Sequence, residues 1–185
     1  MRVSAIGGFT ATNSNLMYLY HRVPDGMEGT ILYPLNQLKE LMPEVCARQA
    51  AKYAGREFIM ERKIGILNCA WNDVLHLSPI HPSQISAAFS RIGLVYKPSD
   101  FFEVSAESLD PKETVIQPMY DSDSNETVSY NIEKLKGMTD LPAVTETYYR
   151  ERFLEGKRPL HYVSTPHILF RGTIETKSLK KISVF

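Results

Sequence analysis

The chain has 185 residues, 43% apolar and 23% charged, and its 21 Lys plus Arg balance 21 Asp plus Glu. This length suits one domain, and the composition is ordinary for a globular protein and excludes wholesale disorder. Zero formal net charge excludes bulk attraction to nucleic acid or to an anionic membrane, so either partner would need a local basic patch. No apolar run approaches the roughly 20 residues of a membrane span, and the opening residues lack the unbroken apolar core of a signal peptide. Two cysteines, Cys46 and Cys69, are too few for a disulfide scaffold, which predicts a cytoplasmic protein.

Residues 1–15 are small and polar, with a Gly7-Gly8 pair, and read as a flexible lead-in to one α+β domain over 16–185. Leu16 to Val23, LMYLYHRV, carries the aromatic and β-branched residues of a strand, ended by Pro24, Asp25 and Gly26. Leu35, Leu38, Leu41 and Val45 recur at helical spacing, and Pro43 splits the segment. Residues 44–62 are strong helix formers despite Gly55. With Arg48, Lys52, Arg56, Arg62 and Lys63 they offer a basic face that could meet phosphates, or simply a solvated one. A strand is predicted from Leu75 to Pro79, then a helix capped by Ser83 and stopped at Gly93. Short strands follow to Gln117, then a mobile polar loop at 121–126. A helix from Leu141 to Glu155 is capped by Asp140 and closed by Gly156, and two last strands occupy His167–Gly172 and Leu179–Phe185. This order predicts an α+β fold with a mixed or mainly antiparallel sheet and flanking helices.

Among residues able to do chemistry, the five histidines stand out. His21 closes the first strand, His76 lies in the next, His81 follows it, His161 precedes the final strands and His167 opens one of them. Polar groups at strand ends around one sheet can converge on a cleft. Their spacing does not match HExxH, and no CxxC is present, so no metal site is predicted. Cys69 is flanked by apolar residues and reads as a buried thiol. Ser78 lacks a G-x-S-x-G elbow, although Asp73 and a histidine could be drawn beside it on paper. No P-loop and no G-x-G-x-x-G follows a strand. Trp71 and Tyr33 could stack on a base, and Arg22 and Arg171 could grip a pyrophosphate; taken singly, such an aromatic is more often core and such an arginine more often a surface charge on a strand.

The strand LYHRV followed by TILYPLNQL, the strand VLHLSP with its helix SQISAAFSRIG, and the ending TPHILFRGTIETKSLKKISVF together resemble the ADP-ribosyltransferase-like superfamily. The resemblance implies a split, mainly antiparallel sheet, NAD as substrate, and transfer of ADP-ribose to a macromolecule, nucleic acid or protein. It implies a toxin or defence effector, which would need a neutralising antitoxin, and no membrane partner. His21 would hold the adenosine-side ribose. Ser78, with Trp71 or Tyr33, would line the nicotinamide side, His76 would belong to the same cofactor set, and Arg22 or Arg171 would meet the pyrophosphate. Many such transferases carry a catalytic Glu where this chain has His167, and Glu175 falls in the following turn. The catalytic set is therefore read as His21, Ser78 and His167, with His167 positioning substrate as in the related RNA 2′-phosphotransferases. The alternatives are an NAD-independent, histidine-based RNA nuclease or phosphotransferase, and a non-catalytic nucleotide-binding module.

Overall fold

The computed structural model describes residues 16–55, 57–119 and 126–185. The expected lead-in over 1–15 and almost all of the 121–126 loop lie outside them. The elements in chain order are β1 (Tyr18–Arg22), β2 (Ile31–Leu32), α1 (Leu35–Leu41), α2 (Pro43–Ala50), β3 (Lys63–Ile64), β4 (Cys69–Ala70), β5 (Leu75–Leu77) and α3 (Pro82–Arg91). They continue as β6 (Ser99–Ser105), β7 (Thr114–Gln117), β8 (Val128–Ser129), α4 (Ile132–Leu135), α5 (Ala143–Leu154), β9 (His167–Phe170), β10 (Ile174–Glu175) and β11 (Lys180–Val184).

Two sheets organise these elements. One has the order β1-β6-β11 and the other β5-β9-β7-β8; the short pairs β2/β10 and β3/β4 stand apart. Every strand pairing among the described residues is antiparallel, the simpler of the two sheet patterns expected. The two sheets are joined at one point. Tyr20 and Ser78 exchange backbone hydrogen bonds of 2.8 and 3.0 Å, and the β1–β5 ladder stops there. Beyond that bridge, the last residues of β1 and the first of β5 do not pair with each other.

The main core is built from both sheets. Leu19, Leu77, Val104, Ile116 and Ile168 meet in one cluster, with the alternation of each strand setting which side chain enters it. Burying each of these aliphatic side chains contributes about 1.5–3 kcal/mol. The opposite face of β9 and β7 packs Leu169 and Val115 against Trp71, Ile59 and Ile64. A third cluster seats α3 and α5 on β6 and β11 through Phe89, Tyr149, Phe101 and Val184.

Three local expectations are corrected. The helix predicted over 44–62 stops at Ala50, followed by single 3-10 turns at Ala51–Tyr53 and Glu57–Ile59. Gly55 takes φ 75°, and the reversal brings Ile59 into the cluster around Trp71, a burial that outweighs helix propensity. α3 is capped by His81 rather than Ser83: its Nδ1 accepts from the Ser83 N–H at 3.2 Å, because Pro82 already occupies the first helical position. α5 starts after Pro142, whose extended backbone serves as the cap in place of Asp140. Among the described residues, no helix is long and apolar enough to cross a membrane.

Candidate functional site

A cleft of about 660 Å³ opens where β1 and β5 part. Its size lies within the ~300–1,000 Å³ range of small-molecule sites. One side is apolar, from Leu35 and Leu38 of α1, Met42, Val45 of α2 and Ile59. The other is polar and aromatic, where the ends of β1 and β5, the start of β9 and the 158–163 segment converge. His21, Arg22, Tyr33, Trp71, His76, Ser78 and His167 all line it.

Sheet register explains the closest part of this convergence. His76 pairs with Leu169, and His167 lies two residues along β9, so both imidazoles share one face as diagonal neighbours. Their ring centroids are 6.4 Å apart. Trp71 packs on both, at 4.3 Å from His76 and 6.4 Å from His167, and Tyr162 stands 6.4 Å from His167.

Hydrogen bonds settle part of the tautomer question. His76 Nε2 lies 3.1 Å from the Trp71 carbonyl, which can only accept, so Nε2 carries the proton and Nδ1 the lone pair. His167 Nε2 likewise donates to the Tyr162 carbonyl at 3.2 Å. Burial pushes the His76 pKa down to about 3, reinforced by His167 and His21, and burial takes His167 to about 4. Both are therefore neutral imidazoles at pH 7, able to donate from one nitrogen and accept at the other.

The remaining predicted residues have distinct surroundings. The Ser78 hydroxyl accepts from the Ile80 N–H at 3.1 Å and turns the chain out of β5. Trp71 is almost wholly buried, and the Arg62 guanidinium lies over its ring at 5.6 Å. Arg171, expected at the pyrophosphate, is not among the cleft-lining residues. It sits one residue past β9 with its guanidinium paired to Glu113 and bonded to the Leu67 carbonyl at 2.8 Å. Glu175 lies exposed on β10, paired in register with Ile31, and is likewise outside the cleft lining. Asp73 ties the turn before β5, accepting from the Ala70 N–H at 2.8 Å and the Asn36 amide at 2.6 Å. Burial raises the pKa of the Cys69 thiol, as do Asp73 and Glu113, which disfavours the thiolate. Of the basic residues expected to form a face over 44–63, Arg48 pairs with Glu28 and the Arg62 guanidinium lies over Trp71, while the side chains of Lys52 and Arg56 lie outside the described residues. Glu28 is the sole carboxylate among the described residues lining the cleft. No three His, Cys, Asp or Glu side chains among the described residues are grouped to hold a metal ion.

Sequence reasoning missed Arg158 and Tyr162, and left His161 outside the proposed site. All three line the cleft from a segment without periodicity, whose only signal is a run of Arg, His and Tyr between Gly156 and Pro166. The buried Thr145 of α5 holds this segment by donating toward the Val163 and Ser164 carbonyls, at 3.0 and 3.1 Å. Ser164 there has φ 54°, a conformation that L side chains rarely adopt. Thr145→Val keeps the shape but strands those acceptors, and a loss of about 1–3 kcal/mol is expected in a urea melt. An unchanged midpoint would mean the clasp is dispensable.

Fold and site together define an α+β protein whose two antiparallel sheets part to form a histidine- and aromatic-lined cleft. No protein-family model, no curated protein and no solved structure matches the chain.

Proposed function

We propose that the cleft binds NAD and breaks its nicotinamide–ribose bond, passing ADP-ribose to a macromolecule, in the manner of the ADP-ribosyltransferase-like superfamily. The observation that carries this reading is the meeting of the β1 end, β5 and the β9 start in one cleft, with His21, His76 and His167 beside Trp71. Neutral imidazoles suit ribose hydroxyls, the indole and phenol rings suit a heterocycle, and the apolar side under α1 and α2 gives room for a second ring. The acceptor class, nucleic acid or protein, and the toxin role with its neutralising antitoxin belong to the same proposal.

Glu28 is the sole carboxylate lining the cleft among the described residues and is paired with Arg48, which favours a positioning role for His167 over acid–base work. The same proton affinities weigh against the histidine-based RNA phosphotransferase. A histidine pair working as acid and base near neutrality needs pKa values near the working pH, whereas burial takes these two to about 3 and 4.

Incubation with NAD labelled in its adenylate phosphate, with separate RNA, DNA and protein pools, tests the reading. Label in one pool and released nicotinamide are expected, with kcat/KM lowered about tenfold or more in His21→Ala through loss of a ribose contact. No NAD binding refutes the proposal, and RNA turnover without NAD supports the phosphotransferase.

A further inference from the structure

Two arginines stand at the polar end of the cleft, Arg22 at the close of β1 and Arg158 in the segment after α5. Arg158 lies over the Phe89 ring at 5.8 Å, and Phe89 is 5.2 Å from the His161 ring. His161 in turn stacks on Tyr96 at 5.2 Å. Both guanidiniums act on this pair: after burial, Arg22 and then Arg158 lower the proton affinity of His161, and both bear on the Tyr96 hydroxyl. Both arginines line the same cleft as His161.

Neither is neutralised from within the cleft. Arg22 Nη2 reaches the exposed Asp25 carboxylate at 3.1 Å, while its Nε is buried with no acceptor among the described residues. Arg158 has no carboxylate partner among the described residues, and its Nη2 donates to the Val95 carbonyl at 3.2 Å. Glu28, the one carboxylate lining the cleft, is held by Arg48. A second such donor lines the same cleft: the buried Tyr162 hydroxyl has no partner among the described residues, and Arg22 bears on it. Buried donors without acceptors are costly, and two of them, on Arg22 and Tyr162, line the same cleft as the exposed Arg158. Planar guanidiniums match the oxygens of phosphate by paired N–H bonds.

We infer that Arg22, Arg158 and Tyr162 form an anion subsite for the phosphate or pyrophosphate group of a ligand. The identity of the rest of that ligand rests on the NAD reading; the anion preference does not.

Calorimetric titration of the full chain with inorganic pyrophosphate, ADP-ribose and nicotinamide riboside tests this. Pyrophosphate and ADP-ribose are expected to bind, and Arg158→Gln to weaken both about tenfold or more, leaving nicotinamide riboside unaffected. ADP-ribose binding much more tightly than pyrophosphate identifies a nucleotide diphosphate rather than the free anion as the ligand. Arg171→Gln, whose guanidinium is held by Glu113, should change nothing. Tyr162→Phe removes a hydroxyl with no partner among the described residues, so it should lower anion affinity without lowering Tm, and it serves if Arg158→Gln fails to fold. The inference is overturned if the wild type binds neither phosphate ligand, if Arg158→Gln and Tyr162→Phe both bind them undiminished, or if Arg171→Gln weakens them as much. Arg158-dependent pyrophosphate binding without nicotinamide release from NAD would uphold the subsite and reject the NAD reading.

Discussion

Moving from pH 7 to pH 5 is expected to cost the fold about 5 kcal/mol, a large part of the ~5–15 kcal/mol that stabilises a typical domain. Three histidines are held neutral in the folded chain. Burial lowers His76 to about 3 and His161 and His167 to about 4; His161 is lowered further by Arg22 and Arg158, and His76 by His167 and His21. In the unfolded chain each titrates at about 6.5. The folded pKa values lie below the unfolded ones, so between them the unfolded state binds more protons. Stability is then complete above about pH 6.5 and falls as pH falls, until the folded values are reached. Each histidine contributes up to about 1.4 kcal/mol per pH unit in that window. The carboxylates lowered by their partners, such as Glu113 beside Arg171, titrate at more acid pH, so the loss above pH 4.5 belongs to the imidazoles. Urea melts at pH 7, 6 and 5 check this, and His76→Gln should reduce the slope by about a third. A stability flat from pH 7 to 5 would mean these rings titrate as freely in the fold as outside it.

Phe89→Ala is expected to destabilise by about 3–5 kcal/mol, the range for truncating a core aromatic. Phe89 is completely buried on α3 and meets Tyr149 at 4.9 Å, Tyr96 at 5.9 Å and His161 at 5.2 Å, with Arg158 on its face. The Tyr149 hydroxyl donates to the His161 carbonyl, so the same cluster also holds the backbone of the cleft wall. The truncation should therefore loosen the 158–163 segment as well as lower the urea midpoint. Phe89→Leu, which refills most of the volume, should cost roughly 1–1.5 kcal/mol. A change below 1 kcal/mol for Phe89→Ala would show that the cluster collapses around the gap.

Much of the fold was legible because its signals are local. Pro43 divides α1 from α2, Gly93 with φ 78° and Gly156 with φ 69° close α3 and α5, and alternating aromatic and aliphatic residues mark β1, β6 and β9. The errors came where burial overrode propensity, as when Ile59 is drawn to Trp71 and the helix through 44–62 is abandoned. The two-residue pairs β2/β10 and β3/β4 carry too little pattern to be seen in one chain.

At the cleft, the sequence by itself determined which chemistry is present: strand-end histidines, a neighbouring tryptophan, arginines, and no nearby glutamate in place of His167. Strand periodicity was enough for that, because it fixes which residues end a strand. Only the tertiary structure decided which of them meet. His76 and His167 share a face because β5 and β9 pair in one register, and a slip by one residue would have parted them. Arg22 and Arg158 line one cleft although no sequence spacing links them, whereas Arg171, just as plausible by type, is captured by Glu113 just before β7. Such choices rest on long-range packing and charge, which a one-dimensional pattern does not encode.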